Sequence, residues 1–279
     1  MRHMWPIEWL VTPWSYTFFV HAALAAALVG LVGGVVGSYM VLRGMAFFGD
    51  ALAHAILPGL AVAYILAGAQ GEGLFWGGLI AALVAALFIA RLSAGRRVGE
   101  DTAIGITFAG MFALGIAIIS TGRTFAVDLT HILFGNVLAV GRDDLVRMAV
   151  VGGGVVLAVI WYYREFLILA FDPVLATTLR LPVGRLNDIF VILIALSVVV
   201  SLQTVGTALT LAMLITPAAT AQLLATRLTT MMVVAVAVGL AAGLVGLYIS
   251  FYFSVASGAA IVLTATLIFG GVWLWRGRG

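Results

Sequence analysis

Apolar residues run along this chain in long blocks separated by short polar breaks. The blocks fall near 17–42, 45–68, 74–92, 102–120, 144–163, 186–203, 207–226, 229–250 and 257–275. Each is close to the roughly 20 residues that cross a bilayer core. Such segments are helical, because a helix satisfies its own backbone polar groups in a solvent that offers no partners. The strict alternation of barrel strands is absent. The pattern predicts an all-α, polytopic integral membrane protein with about nine transmembrane helices. A weaker stretch, 129–141, carries Asn136 and two glycines and is too short to span; it reads as a short re-entrant or surface helix. No linker divides the chain, so residues 1–279 form a single transmembrane domain without a separate soluble one.

Composition supports the choice of solvent. Hydrophobic residues make up 64% of the chain and charged residues 9%, against roughly 25% charged in soluble domains. The basic residues are all arginine, and they cluster in short loops, so a net charge of +3 does not point to nucleic acid. Placing the loops at 43–44, 91–101, 164–185 and 227–228 and the tail after Trp275 in the cytoplasm gathers most arginines on that side. The N-terminus then lies outside and the C-terminus inside the inner membrane. Trp5, Trp9, Trp14 and Tyr16 suit a membrane interface and replace the pattern of a cleavable signal. With no cysteine there is neither a disulfide nor a thiolate site.

Small residues indicate how helices meet. Gly30 and Gly34, Gly33 and Gly37, and Gly239 and Gly243 form small-xxx-small steps that allow close backbone approach, for packing inside one subunit rather than a dedicated dimer face. No repeat of 20–50 residues and no glycine-rich phosphate loop is present. If ATP drives this protein, a partner must supply the ATPase.

Ionisable groups inside spans are costly and mark function. Asp50 and His54, in GDALAHAILPG, lie four apart on one helical face. A carboxylate and an imidazole without a thiol suit Zn²⁺, Mn²⁺ or Fe²⁺ better than Cu⁺. Three readings fit the spacing: a metal site, a proton relay, or an Asp–His bond that only locks helices. Pro58 removes the amide that would bond the His54 carbonyl, predicting a kink and a freed oxygen beside the imidazole. Pro217 does the same for Met213 in another span. One chain offers two good ligands; two copies about a two-fold axis would offer two Asp and two His. His21 reads as a packed interfacial residue, His131 near Asp128 as a loop histidine, and Glu72 as solvated. Arg142, Asp143 and Asp144 read as a helix start.

The loop 170–186, AFDPVLATTLRLPVGRL, holds a further element. Asp172 reads as an N-cap and Pro173 as the first helical residue. Leu175 and Leu179 share a face, Ala176 lies between them, and Pro182 with Gly184 ends the element. This short helix on the arginine-rich side is either a membrane-surface helix or a knob that docks a cytoplasmic partner.

Taken in order, YMVLRGMAFFGDALAHAILPGLAVAY, EDTAIGITFAGMFALGIAIIS, DLTHILFGNVLAV, AFDPVLATTLRLPVGRL, VGTALTLAMLITPAATAQLLA and SGAAIVL resemble the permease subunits of the zinc/manganese/iron ABC transporter family. The resemblance is collinear over nearly the whole chain. It implies a homodimeric permease, a cytoplasmic ABC ATPase dimer, an extracytoplasmic metal-binding solute-binding protein, and no ATPase site of its own. It matches Asp50 and His54 to the family's transmembrane metal site, and the helix after Asp172 to its ATPase-coupling element. No cofactor is bound permanently; the metal, zinc or manganese with iron behind them, is cargo, and ATP sits on the partner. Zinc ranks slightly first, because a paired His/Asp set suits it.

The resemblance implies alternating access, with the cation passing Asp50 and His54. Carboxylate and neutral imidazole are the ligand forms, so transport weakens as His54 protonates. A siderophore or vitamin ABC permease would need a wide central cavity rather than an Asp/His pair. An ion-coupled secondary metal carrier would show inverted repeats with paired broken helices, and none is detected. An intramembrane enzyme would need a nucleophile–base pair or a fuller ligand set.

Overall fold

The computed structural model describes residues 10–67, 72–94, 98–120 and 137–277. Its helices are α1 (Thr17–Leu42), α2 (Ala46–Ala55), α3 (Leu57–Ala67), α4 (Glu72–Ala94), α5 (Glu100–Ser120), α6 (Arg142–Trp161), α7 (Tyr163–Phe171), α8 (Pro173–Thr178), α9 (Val183–Val205), α10 (Thr207–Leu224), α11 (Leu228–Phe253) and α12 (Ser257–Arg276). Among the described residues nine helical stretches are long and apolar enough to cross a membrane, and α2 with α3 together make the second, Ala46–Leu66. The expected spans are therefore all present, with ends shifted by a few residues. The protein is an all-helical, multi-pass membrane protein.

The spans are held together where side chains are smallest. Gly30 on α1 meets Gly239 on α11: a methyl group added at Gly239 would lie 3.1 Å from the Gly30 Cα. Gly34 abuts Val236, and Gly243 abuts Ala26. Gly33 and Gly37 turn instead to α10, where they face the carbonyls of Met213 and Leu214. All three glycine steps thus serve packing inside one subunit, as expected. Dispersion grows with such contact in a medium where lipid and side chains are equally apolar. A second group forms around α3, where Gly59 meets Gly77 of α4 and Leu57 sits on Gly115 of α5.

Several buried hydroxyls in this apolar bundle find acceptors on their own helix. Ser38, Thr107, Ser197, Thr210 and Thr264 each donate to the carbonyl four residues back, at 2.6–2.8 Å. That removes the cost of an unpaired polar group. Helix ends use the devices their residues suggest. Asp144 accepts the Gly141 N–H at 3.1 Å at the start of α6, as the Arg142–Asp144 run predicts. Gly206, at φ 86° and ψ 170°, turns α9 directly into α10; that region of backbone space is open essentially to glycine alone.

Of the weak stretch 129–141, residues 137–139 form a 3-10 turn whose Val137 is buried against α1. The His21 ring nitrogen lies 3.2 Å from the Val140 carbonyl, so His21 is a packed residue that holds this turn. His131, Asp128 and Asn136 lie outside the described residues, as do Trp5, Trp9 and the side chain of Glu72.

Candidate functional site

Asp50 and His54 share one face of α2, as their spacing requires. The His54 Nδ1 lies 3.0 Å from the backbone carbonyl of Asp50 and 3.5 Å from its Oδ1. A carbonyl only accepts, so Nδ1 is the donor here, and a ring with its one proton on Nδ1 keeps the Nε2 lone pair for a ligand. A ring fixed in this way presents one defined nitrogen to a ligand, the arrangement found at histidine metal sites. α2 starts at the arginine-rich end, so Asp50 lies roughly 6 Å and His54 roughly 12 Å along the span at 1.5 Å per residue.

Both side chains remain accessible, at 31% for His54 and 45% for Asp50. Asp50 opens into a cleft of about 400 Å³ lined by Phe47, Ala51, Asp101, Ile104, Gly105 and Phe108. His54 stands edge-on to Phe108 and Phe112 of α5, with ring centroids 5.5 and 5.9 Å away, and those two phenyl rings stack on each other. The pair therefore sits on an aromatic wall with a second carboxylate, Asp101, along the same cleft. Asp101 was not singled out by sequence. Beside Glu100 it reads as an ordinary acidic helix start, and only the packing of α2 on α5 brings it to the cleft. Among the described residues no group of three or more His, Cys, Asp or Glu gathers as a metal cluster.

The two prolines leave different marks on their helices. The helix is interrupted at Ile56, two residues before Pro58. Pro58 packs on Gly115 of α5. α10 continues through Pro217, and the Met213 carbonyl is packed over Gly33, where an added methyl would approach to 2.6 Å. Neither proline lines the cleft.

At the arginine-rich end, α8 forms as its residues predict. The Asp172 carboxylate accepts the N–H groups of Val174 at 3.0 Å and Leu175 at 2.9 Å, and Pro173 opens the helix. Its end differs from expectation: α8 stops at Thr178 and the chain reverses through Arg180 at φ 55°. Pro182 caps the following helix and Gly184 lies in the first turn of α9. Leu175 and Leu179 are exposed, together with Val174, while Ala176 is buried. An apolar ridge on a capped helix is thus presented outward.

Beside it lie contacts that sequence spacing did not reveal. Arg43 donates to Asn187 Oδ1 at 2.6 Å, and Arg91 donates to Asp188 Oδ2 at 2.8 Å. Burial pushes the Arg43 guanidinium below its ordinary value, opposed by the charge of Glu100. Separations of 97 and 144 residues leave no local signal for such pairs.

Residues 15–275 match the family described as ABC 3 transport family. The chain is 46% identical over 255 residues to a manganese transport system membrane protein of Halalkalibacterium halodurans, covering 91% of this chain and 86% of that one. It is 42% identical over 255 residues to a manganese import system permease protein of Streptococcus gordonii, covering 91% and 90%. Its fold resembles a chain of the solved PsaBC complex from Streptococcus pneumoniae, bound to Fab, with a TM-score of 0.81, 39% identity, and coverage of 96% of this chain and 95% of that one. The chain belongs to the ABC 3 transport family, as the membrane-spanning permease, not the ATPase, of an ABC transporter that works with an ATPase and a binding protein.

Proposed function

We propose that this permease imports a divalent transition metal, manganese first, through a site built from Asp50 and His54 of two copies of the chain. The observation that carries the reading is the Asp–His step on α2, with Asp50 opening into the cleft and His54 partly exposed beside it, its Nδ1 held by the Asp50 carbonyl. A carboxylate at 45% exposure within a span is costly against lipid, and a second protomer would cover it. One protomer supplies a pair of ligands, and a two-fold axis would double it. Sequence chemistry alone ranks zinc slightly ahead. The names of relatives above 40% identity shift the order to manganese, which accepts the same oxygen and nitrogen donors.

In this mechanism the arginine-rich end faces the cytoplasm of an inner membrane, where two ATPase subunits bind the ridge of Leu175 and Leu179. A binding protein delivers the cation from the other side. ATP-driven closure moves α8 and alternates access to the site. The Asp50 carboxylate neutralises charge as the ion loses water, and Nε2 of His54 supplies a directed donor.

The test is uptake into vesicles holding the permease, its ATPase and its binding protein, with Mn²⁺, Zn²⁺ and Fe²⁺ each offered alone and in competition. Manganese is expected to be taken up and to compete out the others. Uptake that favours zinc or iron would overturn the order of metals. Uptake of no divalent metal would overturn the reading itself.

A further inference from the structure

The docking helix runs into α9, α9 packs on the metal helix α2, and Arg43 is bonded to α9 beside that contact. α8 is joined to α9 by a connection closed on itself: the N–H of Arg180 bonds the Thr177 carbonyl at 3.0 Å, Leu181 bonds Ala176 at 3.0 Å and Val183 bonds Leu181 at 2.8 Å. A displacement of α8 is therefore passed to the first turns of α9. Those turns present Asn187 and Phe190 to Arg43, which donates to Asn187 Oδ1 at 2.6 Å and holds its guanidinium 4.7 Å from the Phe190 ring centroid. A charge-assisted bond and a cation–π contact on one half-buried guanidinium are stronger than their exposed equivalents.

Arg43 closes α1, and its N–H bonds the Tyr39 carbonyl at 3.0 Å. Gly44 follows at φ 72° with open space around its Cα, and α2 begins at Ala46 with Asp50 in its second turn. Tyr39 and Phe166 pack edge-on to Phe190 at 6.0 and 5.4 Å, so α9 is also gripped on its aromatic side. The parallel bond from Arg91 to Asp188 is solvent-exposed, with 70% of the arginine side chain accessible, and such pairs contribute little.

We propose that Arg43 is a positioning residue that transmits the movement of α8, through Asn187 and Phe190 of α9, to the helix carrying Asp50 and His54, with Gly44 as its pivot. This rests on the reading of α8 as the ATPase-docking element and of Asp50 and His54 as the cargo site. Lost contact would leave docking and hydrolysis in place while the metal helix, still packed on α9, follows less completely.

The experiment measures Mn²⁺ taken up per ATP hydrolysed in vesicles holding permease, ATPase and binding protein. Arg43→Gln and Asn187→Leu are expected to keep hydrolysis within about twofold of the parent and to lower the uptake ratio by about tenfold. The double variant should be no worse than either single one, because both remove the same link. Asn187→Asp, which keeps an acceptor for the guanidinium, should retain the ratio and serves where Arg43→Gln fails to assemble. A ratio that stays within about twofold in Asn187→Leu, or effects that add in the double variant, would overturn the proposal. Asp50→Ala measured alongside separates the readings: if its uptake persists, the cargo site is wrong whatever Arg43 does.

Discussion

His54 donates Nδ1–H to the backbone carbonyl of Asp50 at 3.0 Å, so the two groups one helical turn apart are bound to each other before any ligand arrives. The backbone, rather than the carboxylate, orients the ring. That leaves the Asp50 carboxylate and the His54 Nε2 available together. Asp50→Ala and His54→Ala are each expected to lower metal uptake by at least about 10- to 100-fold, the loss that removing even a ligand's supporting partner brings. Initial rates of Mn²⁺ uptake in vesicles, at matched permease content, check this. Full uptake in both variants would dismiss the site.

The cap on α8 gives a second test. Asp172 satisfies two of the first amides of that helix, and replacing such a cap by alanine costs about 1 kcal/mol. Asp172→Ala should loosen the six-residue helix and reduce co-purification of the ATPase, whereas Asp172→Asn, which still accepts, should keep it. Equal loss in both variants would mean that the charge of Asp172, not its cap, is what counts.

Leu175 and Leu179 lie exposed beside that cap. A charge at either position leaves the core untouched but breaks an apolar docking ridge. Leu175→Glu and Leu179→Glu are expected to give normally inserted permease with an unchanged melting midpoint and little bound ATPase. Retained binding would point to the membrane surface as the ridge's partner instead.

Close helix packing can be tested by size. Gly33 leaves no room for a methyl against the Met213 carbonyl, whereas Gly153 on α6 has nothing within 4 Å. Gly33→Val should destabilise by about 1–3 kcal/mol through overpacking. Gly153→Ala should be neutral or stabilising by up to about 1 kcal/mol, from helix propensity alone. Thermal unfolding of the purified permease in detergent reads both.

Backbone conformation makes a separate demand at the α9–α10 turn. Gly206 holds φ 86° and ψ 170°, so Gly206→Ala should cost about 1–3 kcal/mol through strain. The same measurement checks it, and an unshifted midpoint would show that the turn relaxes.

Much was legible in sequence because it is local. A run of apolar residues forms a helix in lipid whatever surrounds it, so the nine spans and the membrane setting follow from composition and length. Two residues four apart share a face, so the Asp50–His54 step was visible, and a side chain caps the amides next to it, so Asp172 was too. What failed locally did so for a local reason as well: Arg180 ends α8 ahead of Pro182.

Only the tertiary structure decided which faces meet. These helices are apolar on every side, so their sequences carry little record of how each is rotated. Packing alone put Asp101 and Phe108 around Asp50, laid the Met213 carbonyl over Gly33, and brought Asn187 to Arg43 across 144 residues. The physical reason is that helix formation is satisfied within each span, while orientation depends on small residues and a few polar contacts between distant spans.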